Sequence, residues 1–290
     1  MNKVALISLY FGKFPANFGL WLKSAARNAD IDFLLYGDCD VSAYLPLPPN
    51  VKCFSYTFEQ MKAKIQSKFD FTIELSRPYK LCDYKPIYGY LFEEDLAGYD
   101  YWGHIDLDTI LGDLRAYFPK EAYEKVYQFG HLTMYRNTPE NNRRFMADVG
   151  QDYRKSFTTS FITVFDELPG MKKKYDLLGI PQYSGHDFAD IARRRKNFTL
   201  NSEICRKNYK YQIFYYQDGR VFRDYLDKAQ CTRTNLIIST FPNAKCRTIP
   251  AEVRRTTLPG LAACPRPAPP RRRSFGNITD RPLCKTCFVP

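Results

Sequence analysis

The sequence predicts an α/β fold with a mainly parallel sheet flanked by helices, and three observations carry that expectation. The chain opens as strand, loop, helix and strand. β-rich runs then alternate with segments of helical spacing over about 200 residues, the pattern of βαβ units in a single domain. Finally, one apolar run, Tyr101–Ile105, ends directly in carboxylates, the end of a strand at which open α/β sheets keep their ligands.

Taken in order, residues 3–10 alternate, are β-rich and close on the loop signal Phe11-Gly12-Lys13-Phe14-Pro15. Residues 18–29 carry Phe18, Leu22, Ala25 and Ala26 at helical spacing. Residues 31–36 form a second apolar run that stops at Gly37-Asp38, and Leu45-Pro46-Leu47-Pro48-Pro49 is a rigid surface connection. Residues 58–69 and 85–96 read as helices, the second ending near Gly98. Thr138-Pro139-Glu140 places Thr at a helix cap and Pro at the first helical position. Residues 211–216 and 221–225 flank Gln217-Asp218-Gly219-Arg220, the clearest hairpin signal in the chain. No internal repeat is present.

Charge and cysteine are unevenly spread. The 290 residues carry a net charge of +12 and nine cysteines, and 16% of them are aromatic. Residues 229–290 hold 11 Lys and Arg against 2 Asp and Glu, five of the nine cysteines and nine of the 19 prolines, but only three aromatic residues. Such a segment lacks the apolar side chains that offset the entropy of ordering it. Residues 1–228 are therefore read as the folded domain, and 229–290 as a basic, Pro- and Cys-rich tail that is largely disordered. The near balance of the first 228 residues, 32 basic against 29 acidic, removes the case for a nucleic-acid partner. A mean hydropathy of −0.44 and the lack of an apolar run near the length of about 18 residues needed for a span argue against a membrane helix. The apolar run at the start is too short for a signal peptide and reads as a first strand. Cys39, Cys53, Cys82 and Cys205 lack metal-ligand spacing and read as reduced thiols of a cytoplasmic protein. The lone Cys284-Lys285-Thr286-Cys287 and the three scattered histidines, His104, His131 and His186, do not make a zinc site.

Three groups of residues carry candidate chemistry. In Trp102-Gly103-His104-Ile105-Asp106-Leu107-Asp108, carboxylates at i and i+2 after a buried strand offer oxygen ligands suited to Mn²⁺ or Mg²⁺. Such a pair also occurs in loops that simply face water. Tyr79-Lys80-Leu81-Cys82-Asp83-Tyr84-Lys85-Pro86 places Asp83 where it either caps the next helix or bonds a ribose or base, with Lys80 and Lys85 solvated or meeting a phosphate. In Phe165-Asp166-Glu167, as at Asp187 and Asp190 beside His186, a carboxylate either takes a proton from an attacking hydroxyl or forms an acidic first helical turn. Lys172-Lys173-Lys174 and Arg193-Arg194-Arg195-Lys196 read as solvated faces that can also draw the protein to anionic lipid at the inner face of a membrane.

As an ordered set, Tyr10-Phe11-Gly12-Lys13, residues 30–38, residues 78–86, residues 102–113, Gly130-His131-Leu132-Thr133-Met134-Tyr135-Arg136-Asn137, Phe165-Asp166-Glu167 and Ala189-Asp190-Ile191 resemble a bacterial family of GT-A-type glycosyltransferases encoded with capsule and other surface-polysaccharide genes. The resemblance covers residues 1–228. It implies a GT-A-like, Rossmann-like fold in which Asp106 and Asp108 hold the metal on a donor diphosphate. Tyr10, Phe11, Asp38 (near the base), Lys80, Asp83, Lys85 and Asp106 would line the donor site, and Asp166 or Glu167 would act as base on the acceptor side. The family closes on a His-Phe-Gln-Lys-Arg-Lys-Met-like string, which is absent here. Back-translation of residues 236–246 permits a near match in a shifted frame, so a frame shift around 227–236 is expected, with loss of a metal ligand and of part of the diphosphate grip.

The expected function is metal-dependent transfer of a sugar from a nucleotide donor, UDP-linked, to a surface glycan or lipid-linked glycan. The alternatives are a catalytically impaired nucleotide-sugar or glycan-binding protein and a nucleotidyltransferase.

Overall fold

The computed structural model describes residues 2–185, 187–192, 198–201, 207–228, 230–240, 246–248 and 286–288. The chain divides into two compact units, Met1–Thr109 with Leu114–His186, and Ile110–Asp113 with Asp187–Pro290.

The first unit is built on β1 (Val4–Tyr10), α1 (Phe18–Ala26), β2 (Ile31–Gly37), β3 (Val51–Ser55), α2 (Phe58–Gln66), the 3₁₀ helix Pro78–Ile87, α3 (Tyr88–Leu91) and β4 (Tyr101–Ile105). After β4 the chain passes Asp106-Leu107-Asp108 into β5 (Thr109–Leu111), whose last two residues count with the second unit. It returns through β6 (Lys125–Phe129), β7 (Leu132–Arg136), α4 (Tyr153–Thr158), a π turn over Leu168–Lys172, α5 (Lys173–Leu177) and β8 (Gln182–Tyr183). The sheet order is β3-β2-β1-β4-β7-β6-β8. β1 is parallel to both β2 and β4, β2 to β3 and β6 to β8, while β7 is antiparallel to β4 and β6. The sheet is thus mainly parallel, as expected. From β1 the chain builds outward through β2 and β3, then returns to place β4 on the other side of β1. That reversal is a topological switch point.

Val4–Ser8 of β1 are buried on both faces rather than on alternate residues, because both faces of the strand are covered. On one face Trp21 of α1 meets Phe33 at 5.3 Å. On the other, Ala5, Ile7, Leu34, Tyr36 and Trp102 join the main core with Met61, Ile65, Tyr84, Phe157 and Tyr175. Thr57 and Gln60 start α2 with a reciprocal capping box.

The helix expected over 85–96 is absent. In its place are the 3₁₀ helix Pro78–Ile87 and the single turn of α3. Pro86 has no N–H to donate, and three residues per turn bring Lys80 and Asp83 onto one face. The segment after Thr138 is likewise 3₁₀, over Asn141–Met146, with Thr138 Oγ1 accepting from the Asn141 amide (3.2 Å). α1 and α2 stop three residues short of the helices expected over 18–29 and 58–69.

In the second unit, β9 (Phe188–Asp190) joins β5 and β13 (Ile238–Thr240) in a three-stranded sheet. A second sheet has the order β12-β11-β10-β15-β14, from β10 (Gln212–Gln217), β11 (Arg220–Asp227), β12 (Gln230–Leu236), β14 (Cys246–Thr248) and β15 (Thr286–Phe288). The predicted hairpin is β10–β11, turning through Asp218 (φ 53°) and Gly219 (φ 80°), the two positive φ values that a two-residue turn of this twist requires. Residues 230–240, assigned by composition to the disordered tail, instead form β12 and β13. Directly across from Asp224, Arg233 makes a two-point pair with its carboxylate (2.8 and 2.8 Å), and Tyr215 donates to the same group. These specific polar bonds order a strand that is poor in large apolar side chains. The rest of 229–290, apart from the short strands β14 and β15, lies outside the described residues, as do His186, Arg193–Lys196 as a run, and Cys205. Among the described residues no helix is long and apolar enough to cross a membrane.

Candidate functional site

The polar centre of the first unit is at the switch point, where β1 and β4 end. Lys85, nearly buried on the 3₁₀ helix, directs its ammonium to Asp106 Oδ1 (2.8 Å), to the Gly130 carbonyl (2.8 Å) and toward Asp166 Oδ2 (3.4 Å). His131 Nδ1 lies 3.3 Å from Asp106 Oδ2. The Asp106 amide donates to the His131 carbonyl (3.1 Å), tying the end of β4 to the β6–β7 turn. Glu167, half-buried, accepts from the Gly130 amide through Oε1 (3.1 Å). A Cβ at Gly130 would stand 2.5 Å from Glu167 Oε1 and 3.0 Å from Asp166 Oδ2. The turn therefore touches both carboxylates with bare backbone.

These contacts set the protonation of the site. Burial works against the Asp106 charge, but the Lys85 ammonium and His131 together hold its carboxyl well below the usual carboxylate range. The two carboxylates raise Lys85 well above the usual lysine range against its own burial. Asp166 goes the other way. Burial, with the charges of Glu167 and Asp106, pushes it up to about 6 although Lys85 opposes. Asp108 is also raised, by burial and then by the Asp106 charge, and its own backbone amide is the hydrogen-bond donor it has among the described residues. Beneath them His104 is fully buried and held neutral by burial and by Lys85.

Beside this centre, the ends of β1, β2 and β3 enclose a cavity of about 270 Å³ lined by Tyr10, Phe14, Asp38, Cys39, Cys53 and Phe54, among others. Asp38 Oδ1 accepts from the Gly12 amide (2.6 Å), which fixes the loop after β1. Tyr10 belongs to both places: it lines the cavity, and burial together with the charges of Asp108, Cys39 and Asp106 raises its phenol.

The expected site residues thus fall into three sets. Lys85, Asp106, Asp108, Asp166 and Glu167 are held together around Gly130. Tyr10 and Asp38 line the neighbouring cavity. Phe11, Lys80 and Asp83 reach neither place through the contacts described. The Phe11 ring packs edge-on against Phe58 at 5.4 Å, on the main core. Lys80 and Asp83 are buried and paired at 2.7 Å, with every remaining proton and lone pair in use by backbone groups of 156–165. Asp187 and Asp190 belong to the second unit, where Asp190 Oδ2 accepts from Asn201. The run Lys172-Lys173-Lys174 is not a free basic face. Lys172 pairs with Asp176 (2.7 Å), and buried Lys174 donates to the Ala147 and Val149 carbonyls.

A divalent metal is the cofactor implied by the resemblance, and Asp108 is the ligand that suits one, being a carboxylate that makes no ion pair among the described residues and feels Lys85 and His131 only at a distance. Asp106 is already shared between Lys85 and His131. Among the described residues no group of three or more His, Cys, Asp or Glu is placed to hold a metal ion. The protein therefore offers two carboxylates, and oxygen atoms of a bound ligand and water would complete the shell.

A family model matches residues 6–257, and it describes a family of unknown function, DUF6625. The chain belongs to the DUF6625 family. No curated protein matches it. The span matched by the DUF6625 model, 6–257, extends past Lys228. Sequence reading passed over two groups in this DUF6625 chain: His131 as a partner of Asp106, and Cys39 and Cys53 in one cavity wall. The signal for His131 is the Gly130-His131 step between two β-rich runs, which marks a turn tip that delivers both residues to the site.

Proposed function

We propose that the chain is a metal-dependent glycosyltransferase that moves a sugar from a nucleotide donor, UDP-linked, to a glycan or lipid-linked glycan acceptor on the cytoplasmic side of a membrane. The observation that supports this most is Tyr10. At a topological switch point, one side chain lines a cavity of nucleoside size and stands in the field of the Asp106–Asp108 pair. That is the juxtaposition a nucleoside diphosphate needs, with an apolar, aromatic wall for the base and carboxylates at the diphosphate.

In this reading the cavity with Tyr10 and Asp38 takes the nucleoside. Asp106 and Asp108 would hold Mn²⁺ or Mg²⁺, which when bound supplies positive charge to the departing diphosphate. Lys85 keeps Asp106 ionised and fixes its direction. Asp166 has proton affinity near neutral pH, as a general base requires, and Glu167 brings the more accessible carboxylate beside it. The acceptor hydroxyl gives its proton to this pair as its oxygen attacks the anomeric carbon and the bond to the diphosphate breaks.

The test is UDP release from a panel of UDP-sugars with Mn²⁺ or Mg²⁺, with Asp108→Asn as the control. Metal-dependent release that the control lacks supports the reading. Pyrophosphate release from a nucleoside triphosphate would replace it with nucleotidyl transfer. A second reading, a binding protein without turnover, is favoured by the full engagement of Asp106 by Lys85 and His131. Metal-dependent UDP binding with no release from any donor would establish it.

A further inference from the structure

We infer that Lys80 and Asp83 are positioning residues that set the Asp166 carboxylate from inside the protein, and that they do not contact the donor; this rests on the reading of Asp166 as the proton acceptor. Lys80 Nζ spends its three protons on Asp83 Oδ2 (2.7 Å), the Ser156 carbonyl (2.8 Å) and the Phe161 carbonyl (2.7 Å). Asp83 receives the Thr163 amide on both oxygens (3.1 and 2.9 Å) and the Phe165 amide on Oδ1 (3.1 Å). The two side chains are 1% and 0% exposed, which leaves neither charge a free face for a ligand.

What they hold is the loop backbone leading into Asp166. Phe165 is itself anchored in the main core, its carbonyl accepts from the Met171 amide (2.9 Å) and the Thr163 carbonyl accepts from Gln151 (3.2 Å), but the residues around Thr163 are not fixed by side-chain packing. Phe161 and Val164 are exposed rather than packed, and Val164, a β-branched residue, is held at φ 56°, a conformation such residues adopt only when their surroundings impose it. The amide of Phe165, adjacent to Asp166, is bonded to Asp83, and Asp166 in turn reaches Lys85. A shift of the clamp is therefore passed along two residues of backbone to the carboxylate. A misplacement of about 1 Å at a reacting group costs on the order of 100-fold in rate.

The experiment compares Asp83→Asn with the unaltered chain, with selectively ¹³C-labelled aspartate carboxyls and with UDP release. The Asp166 resonance is assigned by its loss in Asp166→Asn. The expected result is a displaced Asp166 resonance with that of Asp38 unmoved, and kcat lowered by about 10–100-fold at unchanged donor KM. An unmoved Asp166 resonance in a folded variant, or a raised donor KM with kcat kept, overturns the inference. If Asp83→Asn does not fold, replacing the Thr163 amide by an ester removes one donor to Asp83 and leaves the ion pair, and the same two outcomes decide. If the unaltered chain releases UDP from no donor, the reading of the function fails, while the Asp166 resonance still decides whether the clamp sets that carboxylate.

Discussion

The Lys85 ammonium stands 2.8 Å from Asp106 Oδ1, so the first carboxylate of the D-x-D sequence is neutralised by a lysine twenty-one residues earlier in the chain. Asp108, two residues on, has no ion-pair partner among the described residues and carries the opposite shift. One sequence motif therefore contains two electrostatically different carboxylates.

The first prediction follows from that pair. A carboxylate whose folded-state pKa is depressed gives stability above its ordinary pKa, and the gain disappears as acid protonates the folded state. Lys85→Met removes the larger of the two causes of the Asp106 depression, leaving His131 alone beside it, and leaves a charge in a mostly buried place. A loss of about 3 kcal/mol in urea unfolding is expected at pH 7, shrinking below about pH 4. Equal loss at pH 7 and pH 3 would show that Lys85 acts by packing alone.

Asp166 has the reverse sign. Its pKa is raised to about 6, so the stability it gives at acid pH falls as pH rises from the ordinary carboxylate range through 6. Asp166→Asn is expected to gain about 1–3 kcal/mol over the unaltered chain at pH 8, and little at pH 4, while losing UDP release. Urea unfolding at the two pH values checks the first part, and the release assay the second.

Asp108→Asn and Lys85→Met are expected to separate metal from structure. The first abolishes the Mn²⁺-dependent part of UDP binding in calorimetry and leaves thermal stability within about 0.5 kcal/mol. UDP binding that stays Mn²⁺-dependent in Asp108→Asn would remove that residue from the metal site.

Lys125 offers a test away from the carboxylate pair. It is fully buried, its ammonium donates to the Tyr127 carbonyl, and burial with the Lys172 charge pulls its pKa down to about 7. As pH falls from the ordinary lysine range toward 7, the unfolded chain takes up the proton first and stability drops. Lys125→Met is expected to be more stable than the unaltered chain by about 1–3 kcal/mol at pH 7, with the advantage gone near pH 10. Destabilisation at pH 7 would mean that the bond to Tyr127 outweighs the buried charge.

In the second unit, Arg233→Met leaves Asp224, 7% exposed at its side chain, without its two-point partner. A loss of about 2–4 kcal/mol is expected, read as earlier proteolysis within 212–236. Unchanged proteolysis would show that Tyr215 and the β10–β11 hairpin hold the strand without Arg233.

What could be read in the sequence was what local chemistry decides. Buried parallel strands such as β1 and β4 are apolar because helices cover both faces, and Asp218-Gly219 writes its own turn. Asp106, Lys85 and Asp166 were legible as polar residues beside β-rich runs. Their grouping was not, since Lys85 meets Gly130 forty-five residues away. Lys80 and Asp83 looked like solvent-facing or ligand-facing groups because their partners are backbone atoms about eighty residues on, which leave no trace in side-chain identity. β12 escaped for a related reason: it depends on one arginine opposite one aspartate, and average composition does not record a pairing.

Gly130 has a consequence of its own. The separation of Asp166 and Glu167 is gauged by a turn that lacks a single carbon. A methyl group there would act as a wedge, prising Glu167 off the backbone amide it rests on and pressing Asp166 away from the turn. The charge geometry of the site is thus set by an omission, and the smallest possible addition to the chain, Gly130→Ala, is enough to detune it while every ionisable residue stays in place.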